Sequence, residues 1–118
     1  MSLLADRQAL ATALSTVTGV TGYADPDQQL TNTGDATARW TGQEAQPNTP
    51  ALVFLVNWEI LVVAGRTPSE GLAWLDANLS TILDALDALV WITGVSPSVI
   101  QTPNGDLFGV VIEAKKES

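Results

Sequence analysis

Apolar residues recur at helical spacing over residues 2–17. Leu3, Leu10, Leu14 and Val17 fall on one stripe, with Leu4 and Ala11 beside them. Asp6 sits in the first turn of this predicted helix, where the macrodipole favours an acid, and Gly19 is placed to take a left-handed C′ conformation. A short strand is predicted over 20–24. From 25 to 50 the chain turns polar and rich in Gly and Pro, with one strand-like piece at 36–41 anchored by Trp40. A segment of this length is expected to be a functional loop or arm. Residues 51–65 alternate with period two. Leu52, Phe54, Val56, Trp58, Ile60, Val62 and Ala64 share one face, and the other face is also largely apolar, as in a central strand covered on both sides.

Thr67-Pro-Ser-Glu70 forms a capping box, with Thr67 as N-cap, Pro68 at N1 and Glu70 reaching back to the Thr67 amide. The helix it starts runs to about residue 86–89 and buries Leu72, Leu75, Leu79, Ile82, Leu83 and Leu86. Three short strands follow: 90–95, ended by Pro97, then 99–102 and 106–114 as a hairpin around Asn104-Gly105. Residues 115–118 read as a frayed tail. The predicted fold is α+β, with two helices packed on one mainly antiparallel sheet in the order α-β-β-β-α-β-β-β. All 118 residues form a single domain.

Composition narrows the chemistry. The chain has no cysteine and no histidine, which removes disulfides, thiolate nucleophiles, Cys/His metal sites and Ser-His-Asp triads. Thirteen acids against five bases give a net charge of −8. The bases Arg7, Arg39, Arg66, Lys115 and Lys116 are scattered, the reverse of the clustered positive charge that binds phosphate backbones. The N-terminus has no basic n-region followed by an apolar run, and the most apolar stretch is interrupted by Asn57 and Glu59. The expectation is cytoplasmic synthesis with no signal peptide and no membrane span.

No catalytic, metal or cofactor constellation stands out. Asp25-x-Asp27 lacks the rest of a calcium loop and reads as turn chemistry. Asp76, Asp84 and Asp87, with Ser80, line the second helix away from the leucines. Along a helix such oxygens diverge, so this acidic face reads as solvated, or as turned toward a pore or partner. Trp58 is expected in the core, and Trp91 in the core or on a sheet face. Trp40 and Trp74 stand at borders, where tryptophan is enriched in protein contacts. Arg66 either ties strand end to helix start, through Glu70 or Asp106, or pairs with an acidic neighbouring subunit; Arg39 joins Trp40 as an interface candidate.

The run Asn57-Trp-Glu-Ile-Leu-Val-Val-Ala-Gly-Arg66 resembles the strand of small tail terminator proteins of long-tailed bacteriophages. Gly19-Val-Thr-Gly-Tyr23, the proline-containing stretch 25–50, Trp74-Leu-Asp-Ala-Asn-Leu79 and the hairpin at Asn104-Gly105 follow the same order of elements. The resemblance implies a virion protein without enzymatic activity or cofactor. It would form a homo-oligomeric ring, commonly a hexamer, at the head-proximal end of the tail tube. Its partners would be the major tail tube protein and a head-completion or neck protein, with DNA passing unbound through the lumen. A head-closure protein and a bacterial cytoplasmic adaptor are the alternative readings.

Overall fold

The computed structural model describes residues 3–25, 27–45 and 54–117. The elements are α1 (Leu3–Ser15), β1 (Thr21–Tyr23), β2 (Asp35–Ala45), β3 (Phe54–Gly65), α2 (Pro68–Asp87), β4 (Trp91–Thr102) and β5 (Gly105–Glu117). Five strands form one sheet in the order β1-β2-β3-β5-β4. The β1–β2 pair is parallel and the other three are antiparallel. The fold is α+β, two helices on a mainly antiparallel sheet, as the hydrophobic pattern predicts.

β3 is the central strand, and its two faces do different work. Val56, Trp58, Ile60, Val62 and Ala64 point to the helix side and join Leu10 and Leu14 of α1 and Ile82 and Leu86 of α2 in the main core. On the opposite face Leu61 and Val63 pack with Leu30 and Leu107 in a second, smaller core. Leu30 is brought there by the connector between β1 and β2. Asp35, itself buried, holds that connector: its Oδ2 accepts the amides of Thr31 at 3.1 Å and Asn32 at 3.0 Å. Thr37 Oγ1 donates to the Tyr23 carbonyl at 3.1 Å and fixes the other end. The Asp27 amide donates to Asp25 Oδ1, the turn chemistry expected of this pair.

Several expectations are corrected. The strand-like piece expected at 36–41 is β2, which is longer than expected, 11 residues paired with β3 along its length. Small residues understate it: Ala36, Thr37 and Ala38 are all buried, but none adds an apolar signal as strong as Val or Ile. Leu52, Pro26, Pro47 and Pro50 lie outside the described residues. The last three predicted strands are two, since β4 runs unbroken through Pro97. Proline removes one N–H, which a central strand needs but the outer side of an edge strand does not, and β4 is such an edge. The supposed tail belongs to β5, where Lys115 and Lys116 pair with Asn57 and Val56 in register.

Helix α1 ends at Ser15, and Gly19 takes its positive φ of 83° in the separate turn leading to β1. The Glu70 amide donates to Thr67 Oγ1 at 3.3 Å, as a capping box requires. The Glu70 carboxylate reaches one residue further than expected and accepts the Arg66 amide. Leu72 is not in the buried stripe. The inward line of α2 is Gly71, Leu75, Ile82 and Leu86, which leaves Leu72 on the flank at 59% exposure. Leu4 of α1 is likewise exposed.

Candidate functional site

Strand topology leaves two unlike open edges. β1 covers β2 only at Asp35, Ala36 and Thr37. Beyond that point, among the described residues, no strand lies outside β2. A bulge between Trp40 and Gly42 interrupts the pairing there. Trp40 stands opposite Trp58 across the β2–β3 ladder, so it shares the helix-side face, yet it is 49% exposed where Trp58 is 1%. The difference is lateral position, since Trp58 lies in the central strand and Trp40 at the margin. Arg39, its neighbour, points to the opposite face beside Glu59.

The other edge is β4. Val95 and Val99 stand opposite Ile112 and Phe108 of β5, on the helix-side face, and both are exposed, Val99 at 63%. None of the twelve residues of β4 is charged. Natural edge strands usually carry charge, proline or a bulge against unwanted pairing. This one has Pro97 and an irregularity between Ile92 and Gly94, but no charge. β3 and β4 run parallel with β5 between them. The right-handed sense of such crossovers turns the Leu72 and Asp76 flank of α2 toward β4. Arg66, Pro68, Val99, Asp106, Leu107 and Phe108 line an open hollow of about 160 Å³ at the end of the sheet.

The sequence candidates divide between these places. Trp40 and Arg39 lie together at the β2 edge. Asp76, Asp84 and Asp87 are exposed on α2. Trp74 is half-buried and packs against the main core. The Arg66 guanidinium pairs with neither Glu70 nor Asp106. Among the described residues neither Arg39 nor Arg66 has an ion pair within 4 Å, whereas both lysines do: Lys115 with Glu44 at 2.7 Å and Lys116 with Asp6 at 2.6 Å. Trp91 is an exposed sheet-face residue, 55% accessible, at the start of β4. Sequence reasoning missed Val95 and Val99, because period-two alternation shows which residues share a face but not whether a helix covers them.

The remaining concavities offer little chemistry. A polar cleft of about 240 Å³ on the helix-free face is lined by Thr41, Glu44, Asn57, Glu59, Thr93 and Lys115, among others. Asn57 Oδ1 is buried without a hydrogen-bond partner among the described residues. The cleft is open and below the usual size of a small-molecule site. Among the described residues no three of His, Cys, Asp or Glu gather closely enough to hold a metal ion. No helix among them is long and apolar enough to cross a membrane. No protein-family model matches the chain, and no curated protein matches it.

Proposed function

We propose that this chain is a structural virion protein of the tail-terminator kind. It forms a ring at the head-proximal end of a phage tail tube, ends tube growth and presents a surface to the head. The observation that carries the reading is the pair of unlike open edges on one rigid sheet. When a subunit with two unlike margins associates through them, the contact is head to tail, and it closes into a ring where the rotation between subunits closes. The stretch Asn57-Trp-Glu-Ile-Leu-Val-Val-Ala-Gly-Arg66, which carries the resemblance, is mostly the central strand that fixes the distance between those margins. A net charge of −8 suits a channel through which DNA slides without adhering.

The test is assembly of a major tail tube protein, with and without this chain, followed by electron microscopy. The expected result is tubes bearing a ring at one end only. Tubes with no added density at either end overturn the proposal.

A further inference from the structure

We infer that Asn104 is a site of spontaneous covalent change: its side-chain amide is displaced by the backbone nitrogen of Gly105, and the end product is a carboxylate beside Arg66. The inference is independent of the ring reading and calls on no enzyme and no cofactor.

Three observations point to this residue. The first is its neighbour. The chain has five asparagines, and Asn104 is the one followed by glycine; Asn32 and Asn48 precede threonine, Asn57 precedes tryptophan and Asn78 precedes leucine. A side chain on the following residue shields the backbone nitrogen from the asparagine carboxamide, and glycine has none. The second is place. Pro103 and Asn104 are the two turn residues between β4 and β5, both are exposed, and a Cβ built on Gly105 meets nothing within 4 Å. The third is freedom of the side chain. Among the described residues the Asn104 carboxamide makes no hydrogen bond; the turn is tied instead by Thr102 Oγ1, which donates to the Gly105 carbonyl. By contrast, Asn78 Nδ2 donates to the Trp74 carbonyl at 2.9 Å within α2, and Asn57 lies in the central strand.

The reaction balances with water as the only co-reactant. The Gly105 amide nitrogen loses its proton and attacks Asn104 Cγ. The N–Cγ bond forms, the Cγ–Nδ2 bond breaks, and Nδ2 leaves as ammonia, carrying a proton equivalent to the one lost. Water then adds at one of the two carbonyl carbons of the cyclic imide, and the ring nitrogen regains a hydrogen as its bond to that carbon breaks. Opening at Cγ gives aspartate on the original backbone. Opening at the main-chain carbonyl gives isoaspartate, whose backbone is one carbon longer. Nothing is oxidised or reduced.

Each product changes the structure in its own way. Asn104 lines a hollow of about 220 Å³ with Thr31, Asn32, Arg66, Thr102 and Leu107. Among the described residues no acid lines it, and the Arg66 guanidinium has no ion pair within 4 Å. A carboxylate at position 104 therefore meets an unpaired cation. The longer backbone of isoaspartate extends a two-residue turn that sets strand register, and β4, paired in the sheet with β5 alone, is the strand it loosens.

The test is incubation of the full chain in warm, mildly alkaline buffer, followed by peptide mass spectrometry and by labelling with an isoaspartyl methyltransferase. The expected result is conversion of amide to acid at Asn104 at least about tenfold faster than at Asn32, Asn57 or Asn78, a barrier difference of ~1.4 kcal/mol, with the methyl label confined to position 104. Gly105→Ala should slow conversion at Asn104 by about tenfold or more. Alanine is strained at the Gly105 φ of 116°, so the comparison is repeated in urea, where both chains are unfolded and the ratio should persist. Equal rates at Asn104 and the other asparagines, or no slowing by Gly105→Ala in urea, overturns the site. Asn104→Asp should shift the urea midpoint more favourably in the parent chain than in an Arg66→Gln background, and salt should erase the difference. Equal shifts in the two backgrounds overturn the pairing with Arg66.

Discussion

Gly71 of α2 is a position where two effects of opposite sign compete, and the structure decides between them. In a helix, alanine is better than glycine by up to about 1 kcal/mol, so Gly71→Ala is stabilising on propensity alone. Gly71 is buried, however, and faces the ring of Phe108 on β5. A Cβ there falls 2.7 Å from Phe108 Cε1 and 3.1 Å from Cγ, with Cδ1 closer still. Carbon atoms prefer about 3.5–4.0 Å, so the ring must swing out or the first turn of α2 must lift. Overpacking of this kind costs about 1–3 kcal/mol. The net expectation is a loss of about 0.5–2 kcal/mol, which in a domain near this size lowers Tm by roughly 2–8 °C.

Phe108→Ala removes the obstruction. In that background Gly71→Ala should become neutral to stabilising by up to about 1 kcal/mol, giving a coupling of about 1–3 kcal/mol across the double-mutant cycle. Urea unfolding followed by tryptophan fluorescence measures all four proteins, since buried Trp58 reports loss of the core. Equal effects of Gly71→Ala in both backgrounds, or a more stable single variant, would refute the close packing of α2 on β5.

The same reasoning gives further expectations. Asp35→Ala removes two part-buried, charge-assisted hydrogen bonds from the β1–β2 connector and should cost about 1–3 kcal/mol, read as a lower urea midpoint, with earlier proteolysis near Leu30. Leu30→Ala opens the smaller core and should cost about 2–4 kcal/mol by the same assay; a loss below 0.5 kcal/mol would mean that the connector does not cover the sheet. Asp6→Asn removes the 2.6 Å link from α1 to Lys116, a partly exposed pair worth about 1 kcal/mol or less, and its effect should fade as salt is raised. Pro97→Thr restores the missing donor on an uncharged edge, and light scattering should show faster aggregation at unchanged thermal stability.

Much of the fold was legible because local signals agreed with long-range packing. Trp58 and Ile60 alternate in a strand that is buried on both faces, and Thr67-Pro68 starts a helix that exists. The hairpin expected at Asn104-Gly105 forms one residue earlier: Pro103 and Asn104 are the two turn residues, and Gly105, at φ 116°, pairs with Thr102 as the first residue of β5. Misreadings arose where the outcome depends on neighbours distant in sequence. Pro97 marks a strand end in a sheet interior but is harmless on an edge, and nothing local shows that β4 is outermost. Leu72 fits the leucine stripe by spacing, yet Gly71 takes the inward position because α2 approaches Phe108 too closely for a side chain. β2 was seen only in part, at 36–41, because Ala36 and Ala38 are buried by position and carry little hydrophobic weight and the rest of the strand is polar. The candidate contact surface was half visible: Trp40 and Arg39 stand out in a polar stretch. The exposure of Val95 and Val99 was not visible, because it follows from the place of β4 at the edge of the sheet.

The central claim is that this chain acts by capping a polymer and not by turning over a substrate. Growth of tail tubes from the purified tube protein, followed in time by light scattering, tests it most directly. Added at a small fraction of the tube-protein concentration, the chain should arrest elongation at a length set by the ratio of the two proteins. Elongation that slows only when the two proteins are present in equal amounts, or does not slow at all, contradicts the account.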